Sequence, residues 1–215
     1  MFPCPEGAPT IANRQALRTP APRQRAVLQW DMANDAPFPG TALRAPFNFR
    51  GWIDAHRDQL KPPIANRQVY RDSEFIIMVV GGPNSRTDFH VDPGEEFFYQ
   101  LEGDMILRVV QDGKLVDIPI REGEIFLLPP NVPHSPQRVA NTIGLVIERV
   151  RKADEFDGLQ WYCEGCHGLL FEDHFHLSDI ESQLQPVIRK FFGSLELRTC
   201  KQCGEVARDP GAPKA

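Results

Sequence analysis

The chain has 215 residues, 41% of them hydrophobic and 25% charged. This is enough to bury the hydrophobic core of one domain, with a small appended segment. A net charge of −5 gives no general attraction for nucleic acid or for an anionic membrane surface. No apolar run approaches the length of a membrane span, and the start MFPCPEGAPT lacks the features of a secretory signal, so we expect a cytoplasmic protein.

The composition divides the chain into a central stretch and two flanking parts. Residues 1–45 are rich in proline and have few periodic apolar positions, which predicts a flexible arm or one that wraps a partner subunit. Residues 46–156 alternate like short strands between Pro, Gly and Asn turns, as a small antiparallel barrel requires. Residues 157–208 carry two Cys-x-x-Cys pairs, and 209–215 form a tail. We therefore expect a mainly-β fold with flanking helices and a small C-terminal metal-binding segment.

Two helices are predicted beside the strands. Asn48 can cap the first helix, whose apolar residues Phe49 and Trp52 should pack against the barrel. Ser178 opens a possible capping box for a second helix between the cysteine pairs. Pro186 is expected to break or kink that second helix.

The strands of the central stretch follow one another in a simple order. The segment FIIMVV at 75–80 predicts a buried strand, and the segment that begins at Glu96 alternates between two faces. Residues 105–110 are expected to pair with 115–120 across an Asp-Gly turn, which is a strong hairpin signal.

Three residues of this stretch suit a redox-active iron. His90 and Glu96 lie on either side of a sharp turn, and His134 comes from a distant strand that barrel closure would bring opposite. Two imidazoles and one carboxylate are the facial triad of non-haem Fe(II) oxygenases, which leaves positions open for a chelating substrate and O2. A structural role in a barrel strand is the better interpretation for any one of these residues alone. The three together favour a metal site.

The spacing around the triad matches the two metal motifs of the cupin superfamily, with two departures. Glu96 is followed by Gly103, and Gly123 opens the second motif, as the pattern requires. Asp92 stands where the first motif usually has a second histidine, so three ligands remain instead of four. Asn131 replaces the usual glycine of the second motif, and asparagine is well able to adopt the left-handed conformation. A cupin jelly-roll barrel with an open three-ligand site is therefore predicted.

The C-terminal part contains a second candidate metal site. Its four thiols are arranged as two pairs, Cys163 with Cys166 and Cys200 with Cys203. Such pairs without a secretory signal favour metal binding over disulfides. Four thiolates would enclose Zn or Fe in a structural or electron-transferring site that resembles rubredoxin. Gly165 and Gly204 are expected to help turn backbone N–H groups toward sulfur.

At GGPNSRTDFH, EEFFYQLEGD, LPPNVPHSPQR and LVIERVR the sequence resembles the 3-hydroxyanthranilate 3,4-dioxygenase family, in its bacterial and fungal form with a C-terminal cysteine site. The similarity runs from about Ala45 to Gly204. This family consists of Fe(II)-dependent cupins, usually homodimeric, that use O2 to open the ring of 3-hydroxyanthranilate. The product, 2-amino-3-carboxymuconate semialdehyde, is the precursor of quinolinate in the kynurenine pathway to NAD. The resemblance implies the same fold, activity and assembly here.

The resemblance also implies a role for each residue of the site. Carried over position by position, the iron ligands fall on His90, Glu96 and His134, the oxygen-side arginine on Arg86, the carboxylate-binding arginine on Arg138, and further substrate contacts on Glu148, Glu96 and Asn66. Arginine suits such a role because its planar fork matches a carboxylate. An ion pair of Arg86 with Asp88 or Glu95 is an alternative.

Two functions of other classes stay open at this point. A non-catalytic cupin that binds a small aromatic acid would use the same pocket without consuming O2. An electron-transfer protein would use the four cysteines as its redox centre.

Overall fold

The computed structural model describes residues 45–62, 65–71, 73–178 and 183–210. The predicted arm, apart from Ala45, and most of the predicted tail lie outside these residues. None of the helices in the described ranges is long and apolar enough to cross a membrane.

The first helix forms as predicted. Helix α1 (Phe49–His56) is followed by a short 3-10 turn (Arg57–Gln59). The side chain of Asn48 accepts a hydrogen bond from the backbone N of Gly51 at 2.9 Å and so caps the first turn. Trp52 of α1 is buried against the barrel together with Val79 and other apolar residues.

Strands make up most of the described chain. In order they are β1 (Asn66–Gln68), β2 (Phe75–Gly81), β3 (Phe89–Val91), β4 (Glu96–Glu102), β5 (Met105–Gln111), β6 (Lys114–Ile120), β7 (Ile125–Leu128), β8 (His134–Arg138), β9 (Ile143–Arg149), β10 (Asp157–Tyr162) and β11 (Leu169–Phe175). One antiparallel sheet has the order β1-β2-β9-β4-β7, and the other has the order β11-β10-β3-β8-β5-β6. This pair of sheets is the arrangement of a cupin barrel, and the prediction of a mainly-β cupin is confirmed.

The core lies between the two sheets. Met78 and Phe98 from the five-stranded sheet meet Leu107 and Val109 from the six-stranded sheet in one buried cluster. Because side chains alternate along a strand, Glu96 points to the same inner face as Phe98. The barrel therefore places a carboxylate among apolar core residues.

Two turns adopt the conformations that the sequence predicts. Asp112 and Gly113 join β5 to β6 with φ of 50° and 72°, as a tight two-residue hairpin turn requires. Asn131 has φ of 62°, in the left-handed region where the cupin motif usually carries glycine.

The C-terminal part continues the six-stranded sheet. Strand β10 pairs with β3 on one side and with β11 on the other. The segment that we predicted to begin at residue 157 therefore opens with a strand of the barrel sheet. Helix α2 (Leu184–Phe192) packs on β10, where the rings of Trp161 and Phe191 stack with centroids 4.5 Å apart. Helix α3 (Leu195–Arg198) follows.

The predicted break at Pro186 is wrong. Pro186 lies in the first turn of α2, where the missing N–H has no helical partner to lose. Ser178 precedes the helix by several residues, and Glu181 of the predicted capping box lies outside the described part of the chain.

Candidate active site and cysteine centre

The three predicted ligands come together between the sheets. His90 of β3 and His134 of β8 are direct partners in the antiparallel register. Glu96 opens β4 in the facing sheet, and its Oε1 lies 3.4 Å from Nδ1 of His90 and 3.0 Å from Nε2 of His134. All three side chains are buried. Strand pairing and barrel closure thus assemble residues that are separated in sequence.

The geometry of the triad fits a bound cation. The donor atoms of His90, Glu96 and His134 all lie within 4.8 Å of one another. Oε1 of Glu96 is buried and accepts no hydrogen bond, although two imidazole nitrogens are close to it. Three donor atoms this close together and of these types suit a shared cation. These residues could therefore hold a metal ion.

Each histidine is fixed by a second contact on its other nitrogen. Nε2 of His90 lies 2.7 Å from Oδ2 of Asp157, and Nδ1 of His134 lies 3.0 Å from the carbonyl oxygen of Val132. A carboxylate or carbonyl in this position fixes the tautomer and leaves the other nitrogen free for a metal. The free nitrogen of each ring is the one near Glu96.

A buried arginine, Arg151, connects several carboxylates behind the triad. Its Nη2 lies 2.6 Å from Asp157, 2.9 Å from Asp92 and 3.0 Å from Glu148. Asp92, which replaces the second cupin histidine, also accepts a hydrogen bond from the backbone N of Gly94 at 2.6 Å. The substitution that removes a ligand therefore supplies a counter-ion for Arg151.

Arg151 also offsets part of the charge of a second carboxylate cluster. Asp92, Glu96 and Glu148 approach one another as closely as metal ligands do. Arg151 supplies positive charge to this group. Sequence reasoning missed Arg151 and Asp157, although LVIERVR contains the former and a buried arginine requires acidic partners.

Two carboxyl groups of the site have different proton affinities. Glu96 and Glu148 are direct partners in the pairing of β4 with β9. Burial and the nearby charge of Glu96 raise the pKa of Glu148 well above its usual value. Burial also opposes ionisation of Glu96, but His134 and His90 outweigh it and lower the pKa of Glu96. The pKa of Glu148 therefore lies above that of Glu96, so a proton shared by the two carboxyl groups favours Glu148.

The carboxylates of Asp157 and Glu96 favour the protonated form of His90. Burial favours its neutral form, but the hydrogen bond to Asp157 and the proximity of Glu96 outweigh burial and raise the pKa to about 10. A metal at Nδ1 of His90 would compete with a proton for that nitrogen.

The predicted site residues share one cavity of about 130 Å³. Its lining includes every residue of the predicted active site, namely Asn66, Arg86, His90, Glu96, His134, Arg138 and Glu148. Apolar walls come from Met78, Phe98 and Val146, and Leu184 of α2 adds a wall that the sequence did not predict. The cavity thus combines a candidate metal centre with cationic and apolar surfaces.

Arg86 both lines the cavity and forms the ion pair that we considered as an alternative. Its guanidinium contacts the carboxylate of Asp88 through Nε and Nη2. Burial opposes the charge of Arg86, but Asp88 outweighs it and raises the pKa of the guanidinium. Asp88 is buried, so this pair stands inside the protein rather than at its surface.

Arg138 carries a positive charge without an anionic partner among the described residues. Its Nη1 donates to the amide oxygen of Gln100 at 3.1 Å, and its buried Nε has no hydrogen-bond partner. Burial lowers the pKa of Arg138 to about 10, which leaves it charged at neutral pH. A buried cation with unused donors favours an anionic ligand.

Asn66 also presents an unused polar atom. Its buried Oδ1 accepts no hydrogen bond, and the residue lies on β1 at the cavity wall. A ligand donor could therefore satisfy it.

The four C-terminal thiols form a second cluster. Sγ atoms are 3.5 Å apart for Cys163 and Cys203, and 3.4 Å apart for Cys166 and Cys200. These separations are much longer than a disulfide bond and close to the edge of about 3.8 Å expected for thiolates around a tetrahedral metal. The four cysteines could therefore bind a metal.

The two cysteine knuckles have the same backbone turn. The backbone N–H of His167 donates to the carbonyl oxygen of Cys163, and that of Gly204 donates to the carbonyl oxygen of Cys200, both at 2.9 Å. His167 and Gly204 have positive φ, so the left-handed position of the first knuckle is His167 and not Gly165. Backbone N–H groups of Cys203 and Gln202 lower the pKa of the Cys200 thiol to about 6, whereas hydrogen bonds with neighbouring thiols raise the pKa of Cys203 to about 12.

Comparisons with known proteins give consistent matches. A family model described as 3-hydroxyanthranilic acid dioxygenase matches residues 42–192, which include every residue that lines the cavity. A 3-hydroxyanthranilate 3,4-dioxygenase of Xanthomonas oryzae pv. oryzae (strain MAFF 311018) is 58% identical over 168 residues, or 78% of this chain and 95% of that protein.

More distant matches are also found. A 3-hydroxyanthranilate 3,4-dioxygenase of Jannaschia sp. (strain CCS1) is 53% identical over 161 residues, or 74% of this chain and 89% of that protein. Among solved structures, a cupin-2 domain containing protein from Shewanella frigidimarina NCIMB 400 has a TM-score of 0.39 and 17% identity, over 48% of this chain and 93% of that chain.

Proposed function

The chain belongs to the 3-hydroxyanthranilic acid dioxygenase family, and from this membership we infer that it opens the aromatic ring of 3-hydroxyanthranilate with O2. The observation that carries the inference is that one cavity holds all seven residues predicted for this reaction. Both atoms of O2 enter the product, 2-amino-3-carboxymuconate semialdehyde, the precursor of quinolinate in the kynurenine pathway and NAD biosynthesis.

We propose Fe(II) as the metal of the triad. His90, Glu96 and His134 supply two imidazoles and a carboxylate, a set that suits non-haem Fe(II) and leaves positions open. When bound, Fe(II) would supply open coordination positions for the substrate and O2 and would pass electron density from the substrate to O2. Asp157 and the carbonyl of Val132 keep the two histidines oriented toward the metal.

Arg138 is proposed to bind the carboxylate of the substrate. Its charge has no anionic partner among the described residues, and its Nε has no hydrogen-bond partner. A bidentate contact with the carboxylate would satisfy these donors and fix the ring in one orientation.

Glu148 is proposed to exchange a proton with the hydroxyl or amino group of the substrate. Its Oε1 is buried without a hydrogen-bond partner, while Oε2 is held by Arg151 at 3.0 Å. A carboxyl group with a raised pKa is suited to proton transfer near neutral pH. Arg86, fixed by Asp88, is proposed to contact the oxygen side, and Asn66 a polar group of the substrate.

The cysteine centre is proposed to hold Zn or Fe as a structural metal. Four thiolates leave no open position for substrate. Cys163 directly follows β10, which pairs with the strand that carries His90, so metal binding would stabilise this edge of the barrel.

We also propose a homodimer in the cytoplasm, as in the family. Phe75, Ile125 and Leu127 are each more than half exposed. Phe75 and Leu127 line a groove of about 420 Å³ together with Phe97 and Ile147. An apolar face of this kind is suited to a second copy of the chain. The four free thiols in the described part of the chain suit a reducing compartment.

The experiment that tests the proposed function is turnover of 3-hydroxyanthranilate by protein loaded anaerobically with Fe(II). Addition of air should give a ring-opened product with the mass of the substrate plus O2, which then ages to quinolinate. Tight binding of the substrate without O2 uptake would instead support a binding protein for small aromatic acids.

A further inference from the structure

We propose that Gln100 and Gly144 are positioning residues that make the site specific for a carboxylate, because they hold Arg138 in place without neutralising it. This inference rests on the proposed function, in which Arg138 receives the carboxylate of the substrate. Neither residue lines the cavity; both lie behind the guanidinium.

Gln100 and Gly144 face each other across β4 and β9, the two strands that also carry Glu96 and Glu148. Glu96 and Gln100 lie on β4, and Glu148 and Gly144 lie on β9. Their register pairs Glu96 with Glu148 and Gln100 with Gly144. Positions four apart on a strand share a face, so both pairs lie on the same face of the sheet. The Glu96–Glu148 pair and the Gln100–Gly144 pair are about 13 Å apart along the strands.

Gln100 orients Arg138 with a neutral acceptor. Its Oε1 accepts from Nη1 of Arg138 at 3.1 Å, and its Nε2 donates to the backbone carbonyl of Glu102 at 3.1 Å. The contact with Glu102 fixes the amide so that its oxygen faces the guanidinium. Gln100 is buried, so this orientation is not lost to water. A carboxylate here would hold Arg138 equally well but would cancel its charge.

Gly144 provides the space in which the guanidinium lies. A Cβ atom at this position would be 2.7 Å from Nη1 and 2.8 Å from Nη2 of Arg138, and 2.9 Å from Oε1 of Gln100. Real Cβ atoms do not make such contacts, so any other residue must displace the guanidinium or Gln100. The φ of Gly144 lies outside the left-handed region, so space rather than backbone conformation requires glycine here.

The consequence is a site in which the strongest partner for Arg138 is the ligand. A guanidinium already paired with a carboxylate, as Arg86 is with Asp88, has less to gain from a second anion. Arg138 instead enters the reaction oriented and still charged, which lowers the cost of binding an anionic substrate. Because Arg138 has no anionic partner among the described residues before the ligand binds, the site would favour a ring with a carboxylate over the same ring without one.

The test compares Gln100→Glu and Gly144→Ala with the unmodified protein, each loaded with Fe(II). The readout is the ratio of kcat/KM for 3-hydroxyanthranilate to that for 2-aminophenol, which lacks the carboxylate. We expect this ratio to fall at least tenfold in both variants, mainly through KM for the carboxylated substrate. Gln111→Glu, the same change at an exposed hairpin position, is the matched control and should leave the ratio unchanged.

Calorimetric binding of benzoate to the same proteins under nitrogen gives a readout that does not need turnover. Weaker binding in both variants supports the inference. Normal turnover of 3-hydroxyanthranilate with an unchanged ratio and unchanged benzoate binding would overturn it and leave the proposed function standing. If the unmodified protein binds neither benzoate nor 3-hydroxyanthranilate, Arg138 does not bind a carboxylate. In that case both this inference and the proposed substrate fail. Gly144→Ala adds no charge, so it tests the position of Arg138 even if Gln100→Glu does not fold.

Discussion

Nε2 of His90 lies 2.7 Å from Oδ2 of Asp157, and this contact leaves Nδ1 as the nitrogen that faces Glu96 and the candidate metal position. Asp157 is itself held by Arg151 through Nε at 2.8 Å and Nη2 at 2.6 Å. The orientation of one candidate metal ligand therefore depends on a residue that begins the C-terminal part of the chain.

Replacement of Asp157 should weaken metal binding. In Asp157→Asn the amide no longer provides an anionic acceptor for His90, and we expect metal affinity to fall about 10- to 100-fold. Competition between the protein and a chelator for Fe(II) or Co(II) measures this affinity without turnover. Unchanged affinity in a folded variant would mean that Asp157 does not orient His90.

Loss of Arg151 should be the most destabilising change near the site. Arg151→Met leaves Asp92, Glu148 and Asp157 buried without their common cation, and we expect a loss of about 3–5 kcal/mol in the free energy of unfolding. The control is Arg149→Met, which breaks a partly exposed pair with Glu155 and should cost much less. Urea unfolding of the two variants gives the comparison, and equal losses would contradict it.

Removal of a triad ligand should remove iron and activity but leave the fold. His90→Ala deletes one ligand at the end of the core, whereas the apolar cluster around Phe98 and Leu107 is untouched. We expect iron at this site to fall from one per chain to near zero, with the far-ultraviolet circular dichroism preserved. The exposed His174→Ala is the control. A folded and fully active His90→Ala protein is not compatible with the proposed site.

Replacement of two cysteines should separate the structural metal from the chemistry. Cys163→Ser with Cys166→Ser removes half of the thiolate set, and metal binding of this type contributes on the order of 10 kcal/mol to folding. We expect a much lower melting temperature and one metal fewer per chain, with kcat per bound iron retained in the folded fraction. Loss of turnover in a folded, iron-loaded variant would favour an electron-transfer role for the cysteine centre.

The sequence predicted those parts of the site whose signals are local. His90 and Glu96 are joined by a short turn, and the segment around His134 has a distinctive run of prolines and Asn131. The alternation of β4 and the Asp-Gly hairpin follow from rules that act over a few residues. These features therefore appear in the structure where the sequence places them.

The missed features depend on contacts between distant residues. Asp157 contacts His90 across 67 positions, and no local pattern gives that pairing. The same is true of Leu184, which reaches the cavity because α2 packs on β10. The prediction for Pro186 was wrong because a proline pattern does not reveal whether it stands in the first turn of a helix or inside it.

The measurement that tests the central claim most directly is a single turnover of 3-hydroxyanthranilate by the Fe(II)-loaded protein under ¹⁸O-labelled O2. Incorporation of both labelled atoms into the ring-opened product, with one O2 consumed per substrate, is the result we predict. A product that carries one labelled atom or none, or O2 consumption without ring opening, would contradict a ring-cleaving dioxygenase.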